Sequence, residues 1–244
     1  TGVAPDGISI NAGCGATHPR HLAAEVVKHR ADLGVALDGD GDRLMMVDRD
    51  GRVYGGDELL YVVAMDAKRR GALTGGVVGT VMSNLGFEQA LARDGVKLER
   101  AKVGDRYVLE KLVERGWTLG GEGSGHLICL DKHTTGDGII AALQVLAALR
   151  AGNETLAQAC GDLVMYPQKL INIRMSAGFD WKSDPGIQSA VAQAEKSLAG
   201  QGRVLLRPSG TEPLLRVMVE GRDGGLVDSM AEAIAGAVRL AVEA

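Results

Sequence analysis

Apolar positions along the chain fall into two rhythms. Short runs of strand length cover Leu33 to Leu37, Leu44 to Val47, Arg52 to Tyr54, Val77 to Met82, Val96 to Val103, Trp117 to Leu119 and Leu127 to Leu130, then Lys169 to Met175, Arg203 to Leu206 and Leu214 to Glu220. Between them the spacing is helical: His18 to Arg30 behind a Thr17 cap, a stretch capped by Asp57 and running to Arg70, Phe87 to Arg93, Asp105 to Arg115, Gly138 to Arg150, Glu154 to Asp162, Pro185 to Ala199 and Leu226 to Val242. Gly71, Gly95 and Gly116 follow three of these helices as stop signals, and Asp50-Gly51 is a hairpin turn signal. Strands alternating with helices predict an α/β fold with doubly wound mixed sheets in the first two units. After Tyr166-Pro167 the order becomes strand, helix, strand, strand, helix, which predicts a C-terminal α+β domain. Gly75-Gly76 and Tyr166-Pro167 suggest boundaries, giving domains over 1–71, 72–164 and 165–244.

Length and composition narrow the picture without fixing it. The 244 residues suffice for about two domains by length alone. Aromatic residues make up 3%, so the cores rest on Val, Leu, Ile, Ala and Met, and recognition of nucleic acid by base stacking is not expected. The formal charge of −4 comes with no basic block, so neither DNA nor an anionic membrane surface is an expected partner. No apolar run reaches the roughly 18 residues of a membrane span. Cys14, Cys129 and Cys160 are isolated, which suits a reducing cytoplasm. The first residue is Thr1 and the strand-like Gly7 to Ile10 has nothing before it to pair with, so the chain is expected to be a fragment.

Chemistry concentrates in three glycine-rich loops. The first, Asp38-Gly39-Asp40-Gly41-Asp42-Arg43, follows an apolar run and spaces three carboxylates by single glycines. Glycine lets such a loop curl until the acids converge, and converging carboxylates with oxygen-only donors suit a hard divalent cation such as Mg2+. An EF-hand is excluded, because loop positions 6 and 12 counted from Asp38 are Arg43 and Arg49 in place of Gly and Glu. An acidic turn without metal and an aspartyl nucleophile at Asp38 are the other readings. The second loop, Gly120-Gly121-Glu122-Gly123-Ser124-Gly125-His126, alternates glycine with groups that bond hydroxyls; a plain polar turn is the alternative. The third, Arg207-Pro208-Ser209-Gly210-Thr211-Glu212-Pro213 with Arg216 beyond it, offers guanidinium, hydroxyl and backbone N–H donors for a phosphate monoester. Two further segments stay open. Lys102 to Arg106 is an anion site at a helix start or a solvated charge cluster, and Asp131 to Gly138 is a crossing loop or a cap by Asp137.

Together these loops resemble the α-D-phosphohexomutase superfamily. Ala101 to Val108, Thr134 to Gly138 and Ser209 to Met218 are most similar to its bacterial glucosamine-phosphate branch. The resemblance covers essentially the whole chain. It implies interconversion of glucosamine 6-phosphate and glucosamine 1-phosphate through a phosphoserine enzyme and a glucosamine 1,6-bisphosphate intermediate, toward UDP-N-acetylglucosamine and cell wall. It implies Mg2+ on Asp38, Asp40 and Asp42, and catalytic roles for Arg43 and His126. Substrate contacts are implied for Glu122, Ser124, His126, Arg207, Ser209, Gly210, Thr211 and Arg216. A cytoplasmic enzyme that is a homodimer at full length is expected. No serine here sits in the Ser-His-Asn-Pro context of the family's nucleophile, so this polypeptide alone is expected to be inactive. The rival readings are a phosphomannomutase or phosphoglucomutase of the same superfamily, a magnesium-dependent aspartyl phosphatase, and a non-catalytic sugar-phosphate module.

Overall fold

Ten strands and eight helices appear in a computed structural model that describes residues 7–176, 179–209 and 212–243. Contacts divide the chain into two units, one holding the residues up to Ser83 with Phe87–Val164, the other Asn84–Gly86 with Met165–Ala244.

The first unit begins with α1 (Arg20–His29), followed by β1 (Leu33–Leu37), β2 (Leu44–Asp48) and β3 (Val53–Tyr54). These strands form an antiparallel meander in the order β1-β2-β3. The connections are six residues or fewer, too short for the crossover that a parallel pair requires, so this sheet is antiparallel throughout. α2 (Gly56–Arg69) is apolar on almost every side, with Leu59, Leu60, Val62, Val63 and Ala64 all buried. It contacts β2 on one side and α5, α6 and a strand of the second sheet on the others.

That second sheet contains β4 (Gly76–Thr80), β5 (Lys97–Ala101), β6 (Leu119–Gly121) and β7 (Leu127–Cys129), in the order β5-β4-β6-β7. β4 pairs parallel with β5 and β6, and β7 is antiparallel to β6. α3 (Leu85–Arg93) and α4 (Asp105–Arg115) make the crossovers, and Val78, Ala101, Val108, Leu112 and Ile128 form the core under α4. The chain leaves β4 to one side and returns on the other. In such sheets a ligand site lies beyond the carboxyl ends of the strands where the order reverses. α5 (Gly138–Gly152) and α6 (Leu156–Cys160) complete the unit.

The second unit is built on β8 (Gln168–Arg174), α7 (Pro185–Leu198), β9 (Gly202–Pro208), β10 (Leu214–Gly221) and α8 (Gly224–Glu243). Its antiparallel sheet has the order β8-β10-β9. Ile173, Leu215, Val217 and Val219 meet Ile187, Leu198, Ile234 and Val238 in the core. This is the strand-helix-strand-strand-helix order expected.

Local signals erred at several ends. Gly7–Ile10 forms bends and a turn, not a strand. Thr17 does not cap α1, whose first turn has no side-chain cap; the Thr17 hydroxyl instead lies 3.1 Å from Nδ1 of His18. Asp57 is not the cap of α2. Gly55 holds that position, the Glu58 carboxylate accepts its N–H at 2.9 Å, and Asp57 is buried one residue inside the helix. The strand expected from Trp117 begins at Leu119. The Trp117 indole instead lies over Gly75 and Gly76, where a Cβ at Gly75 would come within 2.1 Å of it.

Candidate functional site

The acidic loop links β1 to β2, and its shape follows from backbone needs. Gly41 takes φ 73°, a left-handed value that glycine adopts without strain, and its N–H donates to Asp38 O at 3.2 Å. The turn gathers the acids: Asp38, Asp40 and Asp42 each bring an oxygen within 4.8 Å of the others. The Arg43 N–H donates to Asp38 Oδ1 at 3.1 Å, and Arg43 Nε stands 3.6 Å from Asp38 Oδ2. The Arg43 side chain remains exposed.

Two distant segments hold this loop. Leu44 N–H donates to Gly125 O at 2.9 Å, and His126 Nδ1 lies 2.9 Å from Asp42 Oδ2, so the second glycine loop is fastened to the first. Gly138, at the start of α5, donates its N–H to Gly41 O at 2.8 Å. Asp137 caps α5 by accepting from Ile139 and Ile140 N–H at 2.8 and 2.9 Å. The Asp131 to Gly138 segment is therefore both a cap and a support for the acidic loop.

Burial raises the pKa of Asp42 from the usual carboxylate value, and the charges of Asp38 and then Asp40 add to it, against the opposing hydrogen bond and charge of His126. Asp42 Oδ1 is buried with no hydrogen-bond partner. An orphaned carboxylate oxygen beside two further carboxylates fits a divalent oxygen-seeking cation. Without metal, Asp42 holds its proton more tightly folded than unfolded. Its contribution to stability is then present at low pH and is lost as pH rises through the raised pKa. A bound cation reverses that balance, and a proton competes with it. Mg2+ at about 100 times its Kd should add about 2.7 kcal/mol to the first unit. The rise in melting temperature over an EDTA control is expected to be larger near pH 8 than near pH 5. Melts at both pH values check it; an equal rise would disprove the competition.

The loop Glu122 to His126 lies between β6 and β7, at the carboxyl end of β6. Glu122 N–H donates to His126 O at 2.9 Å and Gly125 N–H to Glu122 O at 3.0 Å. Gly125 has φ 99°, and a Cβ there would fall 2.3 Å from Leu44 O. Glu122 Oε1 accepts the Gly104 N–H at 2.9 Å, which brings in the loop after β5; Ser124 Oγ is 3.5 Å from Glu122 Oε2 and exposed. The sequence left Lys102–Arg106 undecided, and this N–H to carboxylate bond ties the segment to the site. His126 differs from expectation in its surroundings. It is 4% exposed, with Nε2 buried and unpartnered against Gly136.

In the second unit Arg207 and Arg216 are cross-strand partners on β9 and β10. Leu215 and Val217 face the helices, so alternation puts both arginines on the other face. Arg216 Nη2 donates to Ser209 Oγ at 3.3 Å and stands 3.8 Å from Glu212 Oε2. Two guanidinium groups opposite one another repel, and an anion between them relieves that. Gly210 and Thr211 lie outside the described residues.

Comparison with known proteins adds the following. Residues 55–166 match the model for the phosphoglucomutase/phosphomannomutase alpha/beta/alpha domain III, and residues 170–237 match the model for the C-terminal domain of the same family. A phosphoglucosamine mutase from Azoarcus sp. (strain BH72) is 66% identical over 241 residues, covering 99% of this chain and 53% of the relative. One from Aromatoleum aromaticum is 63% identical, covering 98% and 53%. The chain thus spans about half the length of the curated relatives it matches. Aspergillus fumigatus N-acetylphosphoglucosamine mutase, solved with GlcNAc-6P and magnesium, superposes with TM-score 0.78 at 22% identity, covering 98% of this chain and 55% of that one. No described helix is long and apolar enough to cross a membrane.

Proposed function

The chain belongs to the phosphoglucomutase/phosphomannomutase family, and on that premise we propose that it carries the metal-, sugar- and phosphate-binding parts of a phosphoglucosamine mutase. The reaction would interconvert glucosamine 6-phosphate and glucosamine 1-phosphate through glucosamine 1,6-bisphosphate, with a phosphoserine contributed from outside these residues. The observation that carries the reading is the joining of the three-carboxylate loop to the Glu122–His126 loop by the Asp42–His126 and Leu44–Gly125 hydrogen bonds. Identity of 66% and 63% to relatives of that name supports the choice of sugar.

In this proposal residues 1–71 hold the cation, 72–164 the sugar and 165–244 the distal phosphate. Asp38, Asp40 and Asp42 would hold Mg2+, which when bound neutralises charge on the phosphoryl group in transit. Arg43 keeps Nε near Asp38 while its exposed end is available to fork phosphoryl oxygens. Glu122, with one oxygen anchored on Gly104, would accept from a sugar hydroxyl through the other, with Ser124 beside it. Arg207, Ser209, Gly210, Thr211 and Arg216 would grip the phosphate that does not react. Phosphoryl transfer needs positioning of the reacting groups more than covalent help from the protein. The protein would act in the cytoplasm on a small sugar phosphate, with no nucleic acid or membrane partner, and as a homodimer when whole.

The test is turnover by the product of the whole gene, with Mg2+ and a hexose 1,6-bisphosphate primer. Glucosamine 6-phosphate is expected to give a higher kcat/KM than glucose 6-phosphate or mannose 6-phosphate. Equal or reversed preference would overturn the choice of sugar. An acid-labile phosphoenzyme would point instead to an aspartyl phosphate on Asp38.

A further inference from the structure

The resemblance implies a catalytic and substrate-contact role for His126, but its surroundings leave it no open edge. Nδ1 faces Asp42 Oδ2 at 2.9 Å, and Nε2 is sealed against Gly136, where a Cβ would come within 2.2 Å. The residue is 4% exposed, and neither ring nitrogen is turned to solvent. An ionised carboxylate only accepts, so Nδ1 must be the donor in this bond.

We propose that His126 is a positioning residue, whose Nδ1–H fixes one oxygen of Asp42 so that the other is aimed at the cation. The inference rests on the metal assignment of the proposed function. Its physical basis is rotamer control. Asp42 sits in a loop whose glycines impose no side-chain order, and its Oδ1 has no protein partner. A carboxylate held at one oxygen loses rotational freedom before the ion arrives, so less ordering remains for binding to supply. Hydrogen-bond partners behind metal ligands typically contribute 10- to 100-fold in affinity. The imidazole is itself held: the His126 carbonyl accepts from Glu122 N–H at 2.9 Å, its backbone bridges to Arg43, and Gly136 closes over the ring. The same contact fastens the acidic loop to the Glu122–His126 loop.

The experiment measures Mn2+ affinity of this chain by electron paramagnetic resonance and Mg2+ affinity by competition. The readout does not depend on turnover, so a failed mutase assay leaves it intact. His126→Leu removes the donor and is expected to weaken Mn2+ binding by about 10-fold or more. His126→Asn places an amide N–H where Nδ1 stood and is expected to stay within about 3-fold of wild type. If His126→Leu does not fold in EDTA, His126→Gln replaces it, since its amide reaches toward the Nε2 position instead and is expected to bind weakly. Equal affinity in wild type and His126→Leu overturns the proposal. So does equal loss in the leucine and asparagine variants with unchanged metal-free melting, or no metal binding by wild type.

Discussion

Asp40→Asn is expected to lower Mg2+ affinity at least about 100-fold, with little change in the stability of the metal-free chain. Asp40 is exposed, and none of the described hydrogen bonds or ion pairs uses its carboxylate, so the fold loses nothing when the charge goes. The amide keeps the shape and one oxygen but not the charge. At an effective dielectric constant of about 20, unit charges 4 Å apart interact by about 4 kcal/mol, and a divalent ion at ligand distance feels several times that. Relief of repulsion with Asp38 and Asp42 offsets part of this, because their oxygens lie within 4.8 Å. A net loss of about 3 kcal/mol corresponds to the 100-fold or so expected. Titration calorimetry with Mg2+ measures the affinity, and melting in EDTA measures the fold. An affinity within about 3-fold of wild type would remove Asp40 from the ligand set and leave two acids, too few for the proposed centre.

The second large effect is on stability. Glu220→Ala is expected to destabilise the second unit by about 3 kcal/mol, because several donors lose the buried carboxylate that satisfies them while Arg203, its partly exposed ion-pair partner, stays. Glu220 is fully buried on β10. Its carboxylate accepts from Arg203 Nε at 2.9 Å, Gln168 Nε2 at 2.6 Å and Leu85 N–H at 2.6 Å. Beside it, Asn84 donates to Tyr166 O and accepts the Tyr166 N–H, each at 2.9 Å, which secures Asn84–Gly86 within that unit. Glu220→Gln keeps the shape and should cost about 1–2 kcal/mol. Denaturant unfolding followed through Trp181, packed against this core, reads both values. A loss under about 1 kcal/mol for the alanine variant would mean that water or relaxation replaces the network.

Much of the architecture was legible because it is local. β1 and α4 fall at the residues expected, Leu33–Leu37 and Asp105–Arg115. An apolar run between polar turns fixes the strand, and Gly116, with φ 65°, stops the helix. The acidic loop was equally legible, since three acids spaced by single glycines limit what the backbone can do with them. The capping errors at Thr17 and Asp57 have a shared cause. A capping side chain is worth about 1 kcal/mol, and packing overrides that easily. At α2, the backbone packs so closely on the Glu122 loop that a Cβ at Gly56 would lie 1.9 Å from Glu122 O, and the Glu58 carboxylate fastens the Gly55 N–H. Packing thus sets the cap at Gly55, with Asp57 inside the helix.

Sequence by itself picked out the candidate chemistry: a trio of acids at Asp38, Asp40 and Asp42, a glycine loop carrying Glu122 and Ser124, and an arginine- and hydroxyl-bearing loop around Ser209. Each is a matter of near neighbours, where residue type and spacing constrain the backbone directly. Tertiary structure alone decided which of them meet and what each atom faces. His126 is 84 residues from Asp42, and Gly104 is 18 from Glu122. Such contacts depend on sheet order and on closing long loops, whose cost varies only slowly with length and leaves no periodic trace in the chain. That is why the facing of His126 onto Asp42 and Gly136 is not encoded in residue type or spacing.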